Sequence, residues 1–146
     1  MKKFELTSEF VTFLGKKFFR IKALVAFGDV KEGELGGFVE KEENLDQSGD
    51  AWVSGNARVS GDAQVFGDAH IQCRRDCSAA SCFGSENRTT TFFREKDGGI
   101  GVRCGCFYGT MSEFREKVKE RHGDSRLAKE YLMLADLMEF RLSKDE

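Results

Sequence analysis

A six-residue repeat in the middle of the chain constrains its fold more than any other feature. Residues 47–71 read QSGDAWVSGNARVSGDAQVFGDAHI, in which an apolar residue opens each unit from Val53 onward and each unit has an alanine four places after its opening residue. Three such units make a coil of about 18 residues, the short-period repeat of a parallel β-helix. Antiparallel hairpins also place Asn or Asp beside Gly, but they do not keep so strict a spacing. The repeat therefore predicts a short left-handed parallel β-helix.

Adding one coil length of about 18 residues gives the predicted neighbour of each residue in the next coil. Only about two coils are present, fewer than a repeat protein needs to stand alone, so we expect both ends to be capped. The first coil is expected to be imperfect because Lys41 and Gln47 occupy opening positions. The predicted pairs are Trp52 with His70, Leu35 with Val53, Val39 with Ala57, Leu45 with Ala63, and Ala51 with Ala69.

Glycines recur at the predicted corners of the coils, each followed by Asp or Asn. A continuously turning strand needs residues that tolerate positive φ at its corners, and glycine does so without a steric penalty. We therefore predict positive φ at four repeat glycines: Gly49, Gly55, Gly61 and Gly67.

An N-terminal β-hairpin, residues 1–34, is predicted to cap the repeat of residues 35–72. The strands EFVTFL and KKFFRIKAL flank Gly15-Lys16, which suits a two-residue type II′ turn. The apolar residues of this hairpin are interpreted as packing of the cap rather than as a ligand-stacking platform. They are Phe10, Phe13, Phe18, Phe19 and Ile21.

The C-terminal part is predicted to be a connecting loop, residues 73–91, followed by a ββαα domain, residues 92–146. Two extended runs flank Asp97-Gly98-Gly99, which indicates a hairpin. Thr110 and Glu113 form a capping box at the start of a helix that Gly123 ends, and Asp124 is predicted to cap the last helix. The helical inner faces are predicted to hold Met111, Phe114, Val118 and His122, then Leu127, Tyr131, Leu134 and Met138. The predicted fold class is thus mainly β with an α+β tail.

Composition favours a compact domain without a broad charge bias. The chain has 146 residues, 33% charged, and a net charge of −2. Non-specific nucleic-acid binding needs clustered Lys and Arg, so it is not expected. No stretch approaches the roughly 20 apolar residues that span a bilayer, so we expect no membrane partner and a cytoplasmic protein.

Five cysteines at irregular spacing indicate free thiols in a reducing compartment rather than a disulfide framework. A zinc-stabilised module is one alternative, because four thiolates form a tetrahedral site. Buried thiols acting as small hydrophobes are the other, and no cofactor is predicted. The cysteines are Cys73, Cys77, Cys82, Cys104 and Cys106.

Two further features suggest sites. Hexapeptide-repeat acyltransferases use a histidine base, so His70 is a catalytic candidate, although it occupies an exterior repeat position. A tract rich in hydroxyl, amide and guanidinium groups suits an anionic ligand, or else it is a structural joint. The predicted ligand-binding residues are Ser85, Asn87, Arg88, Thr89, Thr90 and Arg103, with Arg74 and Arg75 nearby.

The motifs Gly84-Ser85-x-Asn87-Arg88-Thr89-Thr90 and Cys104-Gly-Cys106-Phe107, after hexapeptide repeats, resemble those of a group of small phage and prophage proteins. This resemblance implies a setting rather than a mechanism. We therefore expect a non-enzymatic, homo-oligomeric binding protein that sequesters or blocks a host molecule, either a protein or a small anionic ligand. An acyltransferase-like enzyme and a zinc-stabilised interaction module remain the alternatives.

Overall fold

The computed structural model describes residues 2–73, 76–83, 88–104 and 107–143, and for 81–83 and 88 the backbone alone. The strands before residue 72 are β1 Phe4–Phe13, β2 Lys16–Ala23, β3 Leu35–Val39, β4 Trp52–Val53, β5 Arg58–Val59 and β6 His70–Ile71. A 3-10 helix spans Glu42–Asn44. The later elements are β7 Cys77–Phe83, β8 Arg88–Arg94, β9 Ile100–Cys104, β10 Phe107–Thr110, α1 Met111–His122 and α2 Arg126–Leu142.

Three sheets organise these strands. One four-stranded sheet has the order β1-β2-β3-β5, and a second has the order β10-β9-β8-β7. A two-stranded sheet joins β4 to β6. In the described residues no helix combines the length and apolarity needed to cross a membrane.

The predicted left-handed parallel β-helix is wrong as the fold class. Most strand pairing is antiparallel, including β1 with β2, β2 with β3, and all pairs of the second four-stranded sheet. Among the described residues, parallel pairing is confined to β3 with β5, β4 with β6, and one bridge between Leu45 and Val65. The physical reason is that β2 pairs antiparallel with β3, so the hairpin recruits the first repeat strand into a mixed sheet.

The predicted register is correct in one half of the repeat and wrong in the other. Trp52 pairs with His70, as predicted. Val39, however, pairs with Val59 rather than Ala57, and Leu45 bridges to Val65 rather than Ala63. Val39 and Leu45 therefore occupy the core positions. The segment between Leu45 and Trp52 is two residues longer than the segment between their partners Val65 and His70.

Gln47, one of the two polar residues expected to weaken the first coil, makes hydrogen bonds to the N-terminal strand. The Gln47 amide oxygen accepts hydrogen bonds from the backbone N–H groups of Lys3 and Phe4, at 2.7 and 3.2 Å. Its amide nitrogen donates to the Phe4 carbonyl at 3.2 Å. Gln47 therefore connects the start of β1 to the repeat segment by hydrogen bonds instead of filling a core position.

Two hydrophobic cores lie on opposite sides of the second four-stranded sheet. The repeat core contains Phe4, Ile21, Trp52, Val53 and Phe93 among its buried residues. The helical core is formed by buried side chains of β8, β9, α1 and α2: Phe92, Val102, Met111, Phe114, Val118, Ala128, Tyr131, Leu134, Ala135, Met138 and Leu142. This sheet therefore connects the repeat segment to the helices.

The ends of the helices follow local capping chemistry. Thr110 and Glu113 form the predicted capping box of α1, and Gly123 follows its last residue at positive φ. The predicted Asp124 cap of α2 is wrong, since Ser125 is the N-cap and its hydroxyl accepts a hydrogen bond from the Ala128 N–H. The predicted connecting loop, 73–91, also contains β7 and the start of β8.

Candidate functional site

The predicted recognition tract lies partly inside the sheet. Thr90 is fully buried, and its hydroxyl donates to the Cys104 Sγ at 3.2 Å. Thr91 is also buried, and its hydroxyl accepts a hydrogen bond from the Gln64 N–H at 2.9 Å. A ligand at the surface would not reach either hydroxyl unless the sheet opened, so both groups stabilise the structure instead.

The structure describes only some of the other predicted residues of the tract. Ser85 and Asn87 lie outside the described residues, as do Arg74 and Arg75, and the side chain of Arg88 is outside the description as well. Thr89 is half-buried in β8. Ligand binding by Ser85, Asn87, Arg88 and Thr89 thus stays a prediction.

Arg103 lies at a surface cleft of about 280 Å³. Its guanidinium packs 4.5 Å from the ring centre of Phe66, and its Nε donates weakly to the Gln64 side chain at 3.4 Å. Arg103 is the cross-strand partner of Thr91, so the sheet register places it beside the repeat segment. At this cleft the predicted ligand-binding side chain of Arg103 reaches solvent.

The charges of this cleft disfavour an anionic ligand. Glu42, Glu43 and Asp46 line it together with Arg103, so three carboxylates accompany the one guanidinium. A free phosphate or nucleotide would meet net negative charge there, because like charges repel at short range. Arg103 is therefore better suited to stacking on Phe66 than to clamping an anion.

Cys77 and Cys104 are in structural surroundings, whereas Cys73 is exposed. Burial, reinforced by the neighbouring Asp76 carboxylate, raises the pKa of the Cys77 thiol to about 12. A high pKa disfavours the thiolate that binds zinc. The Cys104 Sγ accepts a hydrogen bond from the Thr90 hydroxyl. Cys106 and the side chain of Cys82 lie outside the described part of the structure. Among described residues, no group of three His, Cys, Asp or Glu side chains is positioned to hold a metal ion.

The two histidines occupy different environments. His70 is half-buried on β6, beside Trp52 of β4. Trp52 itself is buried against Phe4 and Phe27 of the N-terminal segment, so this exterior repeat position is covered rather than exposed to solvent at Trp52. His122 stacks on the Tyr131 ring at 5.9 Å, at the end of α1. In the described part of the chain, no side-chain hydrogen bond joins either imidazole to a serine hydroxyl or a cysteine thiol.

The tip of the β1–β2 hairpin is an exposed apolar surface that the sequence interpretation missed. Phe18 and Ile21 are buried as predicted, but Phe10, Val11 and Phe13 are substantially exposed. Leu14 extends furthest, with 86% of its surface exposed. We define the hairpin tip as Phe10, Val11, Phe13 and Leu14.

Cations lie over the aromatic rings of the hairpin tip. The Lys17 ammonium is 4.7 Å from the ring centre of Phe10, and the Arg58 guanidinium is 4.5 Å from that of Phe13. Lys16 is largely exposed, and its ammonium lies 3.8 Å from the Glu40 carboxylate. The tip therefore combines apolar area with positive charge.

Leu14 has a strained backbone conformation. The turn consists of Leu14 and Gly15, at φ of 50° and 80°, not of the predicted Gly15 and Lys16. Positive φ at both central residues is the signature of a type I′ turn, which favours Asn followed by Gly. Leu14 is the one non-glycine residue at positive φ among those described. A non-glycine residue in this region costs about 1–2 kcal/mol.

The sequence contains a signal for this site. A two-residue hairpin turn that ends in glycine normally begins with Asn or Asp, and leucine in that place departs from the pattern. Strain and exposure together are unfavourable for stability, so they indicate a role outside the fold.

Comparison with known proteins adds no family assignment: no protein-family model matches the chain, and no curated protein has a significantly similar sequence.

Proposed function

We propose that this chain is a non-enzymatic binding protein that captures a partner protein through the hairpin tip. The observation that supports this most is Leu14, a leucine held at positive φ with 86% of its surface exposed. Solvent exposure of a large apolar side chain in a strained turn does not stabilise a monomer. A protein surface that receives this side chain accounts for both features.

The chemistry of the tip defines the partner. The tip contains three exposed apolar or aromatic side chains besides Leu14, and cations lie over the rings of Phe10 and Phe13. The matching surface is an apolar recess with carboxylates at its rim, because interface centres are apolar and charged groups contribute mainly at the edge. A nucleotide-type ligand is less compatible, since the Arg103 cleft carries three carboxylates.

The biological setting of the proposal comes from the resemblance to phage and prophage proteins. In that setting the partner is a host protein in the cytoplasm, such as a defence component, and binding blocks its action. The hairpin presents its tip at the end of two strands, which is a geometry suited to insertion into a recess of another protein.

The experiment compares capture of host proteins by the wild type and by Leu14→Asn, followed by reconstitution with the purified captured protein. Asn tolerates positive φ, so this substitution keeps the turn and removes only the apolar side chain. We expect Leu14→Asn to lose the captured protein. The matched control is Leu35→Asn, because Leu35 is also exposed but pairs with Lys22, away from the tip.

A second measurement separates a protein partner from a membrane surface. Cosedimentation with vesicles that contain anionic lipid tests whether the apolar and cationic tip inserts into a bilayer. We expect no Leu14-dependent cosedimentation. Vesicle binding that Leu14→Asn abolishes, without a protein partner, would contradict the proposal.

A further inference from the structure

The edge strand β7 is open to pairing. It is the last strand of the sheet order β10-β9-β8-β7, and its described partner is β8. Its sequence, CSAASCF, has neither a charged residue nor a proline. Natural proteins usually protect an exposed edge with such residues or by keeping the strand short.

The other edge strands of the two four-stranded sheets are protected. β1 carries Glu5 and Glu9 and has an irregular register between Leu6 and Phe10. β5 has only 2 residues and β10 only 4. β7 also has an irregular register, between Ala80 and Phe83. Its 7 residues are uncharged, however, so it differs from β1 in charge and from β5 and β10 in length.

Helix α2 exposes an apolar stripe on the side opposite its buried face. The stripe consists of Met133, Leu137 and Phe140, which follow each other at helical spacing, and Phe140 is 82% exposed. The buried face, with Tyr131, Leu134 and Met138 among others, packs into the helical core. A helix that is apolar on both faces is unusual at a free surface.

The open edge and the stripe border the same groove. Ser78 and Ala79 of β7 line it on one side, and Leu137 and Phe140 of α2 line it on the other. Its volume is about 640 Å³, and the Arg141 Nε donates to the Ser78 hydroxyl at 2.7 Å across its base. A partner that pairs with β7 would therefore also cover the stripe.

We infer that the occupant is a second copy of this chain, paired antiparallel through β7. The two-fold axis that relates antiparallel edge strands is perpendicular to the sheet, so both α2 helices come to lie side by side on the same face. The small, uncharged side chains of β7 then meet their own copies, and no like charges face each other. The dimer has one continuous sheet of eight strands, twice the four of one chain.

The exposed stripe supplies a large part of the area that a specific dimer needs. The three stripe side chains remove on the order of 400 Å² of surface per copy, and the paired strands add to this. A stable interface buries about 1,200–2,000 Å² in total, so the paired strands have to supply roughly 400 Å² or more beyond the two stripes. This self-association does not depend on the hairpin tip, which lies on a different sheet.

The test measures the mass of the wild-type chain by light scattering across micromolar concentrations, with two variants. Ala79→Lys places a charge on the open edge, and Phe140→Ser removes the most exposed apolar side chain of the stripe. We expect a wild-type dimer and at least a tenfold weaker dimer for each variant. Leu14→Asn and Leu35→Asn are the controls, and both should dimerise as the wild type does.

Hydrogen exchange of the β7 amides gives a readout that does not depend on the variants. In the wild type, protection of β7 should increase with protein concentration, whereas protection of β9 should not. A monomeric wild type overturns the inference. A dimer whose β7 amides exchange equally at all concentrations also overturns it, because the interface must then lie elsewhere.

Discussion

Phe92 and Phe93 are neighbours on β8, yet their fully buried rings belong to different hydrophobic cores. Phe93 packs with the repeat core and Phe92 with the helical core. Successive side chains of a strand point to opposite faces of the sheet, so β8 serves as a wall for both cores. The repeat segment and the helices are thus physically coupled through one strand.

This coupling predicts that damage to one core destabilises the other. Phe92→Ala should lower the free energy of unfolding by about 3–5 kcal/mol, the usual cost of a large cavity. Trp52 is the only tryptophan and lies in the repeat core, so its fluorescence reports that core specifically. We expect denaturation followed by Trp52 fluorescence and by helical circular dichroism to shift together. An unchanged Trp52 transition would show that the cores unfold separately.

The repeat corners give a second prediction. All four predicted corner glycines have positive φ, including Gly55 at 62°. Gly55→Val should destabilise the protein by about 1–3 kcal/mol, because a β-branched residue is strained in this conformation. Ser54→Ala, which removes only a 3.3 Å hydrogen bond to the Ile71 carbonyl, should cost less. Equal melting temperatures for these two variants would contradict the corner assignment.

Lys3 predicts an unusual pH dependence. Its ammonium is buried, donates to the Gly49 and Ala51 carbonyls, and lies over the Phe27 ring. Burial lowers the pKa of Lys3 to about 8, against 10.5 in the unfolded chain, although the Asp46 and Asp50 carboxylates oppose this. Between these values the unfolded chain holds the proton and the folded chain does not, so stability from this group rises with pH.

From pH 7 to pH 9 the free energy of unfolding should rise by about 1 kcal/mol, and Lys3→Met should abolish this rise. Chemical denaturation of both proteins at the two pH values measures the difference. Above pH 9 the Cys77 thiol acts in the opposite direction, since its raised pKa keeps it protonated only in the folded chain. If the stability of Lys3→Met rises by the same amount between the two pH values, another group is responsible for the pH dependence.

The charge of the Arg103 cleft predicts weak binding of small anions. Titration calorimetry with inorganic phosphate and with nucleotides should give dissociation constants of about 1 mM or weaker, since three carboxylates line the same cleft. Micromolar binding that Arg103→Ala abolishes would restore the anionic ligand as the preferred partner. Arg88→Ala tests the undescribed part of the tract in the same assay.

Local sequence signals predict the local structure of this chain well. The hairpins, the Thr110 capping box and the corner glycines depend on neighbouring residues, and the structure contains all of them. The fold class depends on which strands pair across long stretches of sequence, and the pairing predicted from the repeat was wrong there. Val39 and Leu45 carry the same six-residue spacing as Val59 and Val65, but two extra residues before Trp52 hide this frame.

The candidate site was less predictable for a related reason. A tract of hydroxyl and guanidinium groups looks alike whether it faces solvent or the interior, and only the sheet register places Thr90 and Thr91 inside. The exposure of the hairpin tip depends equally on tertiary structure. The leucine before Gly15 was visible in the sequence, but its meaning depends on which two residues form the turn.

The most direct test of the proposed function measures stability and partner affinity on the same variant, Leu14→Asn. Because Asn adopts positive φ more readily than Leu, the variant should be more stable by about 0.5–1 kcal/mol. Its affinity for the captured protein should nevertheless fall by at least about tenfold, as for the loss of an apolar anchor at an interface centre. Higher stability with lower affinity is the result that the proposal predicts. Unchanged affinity in a stabilised Leu14→Asn variant would contradict it.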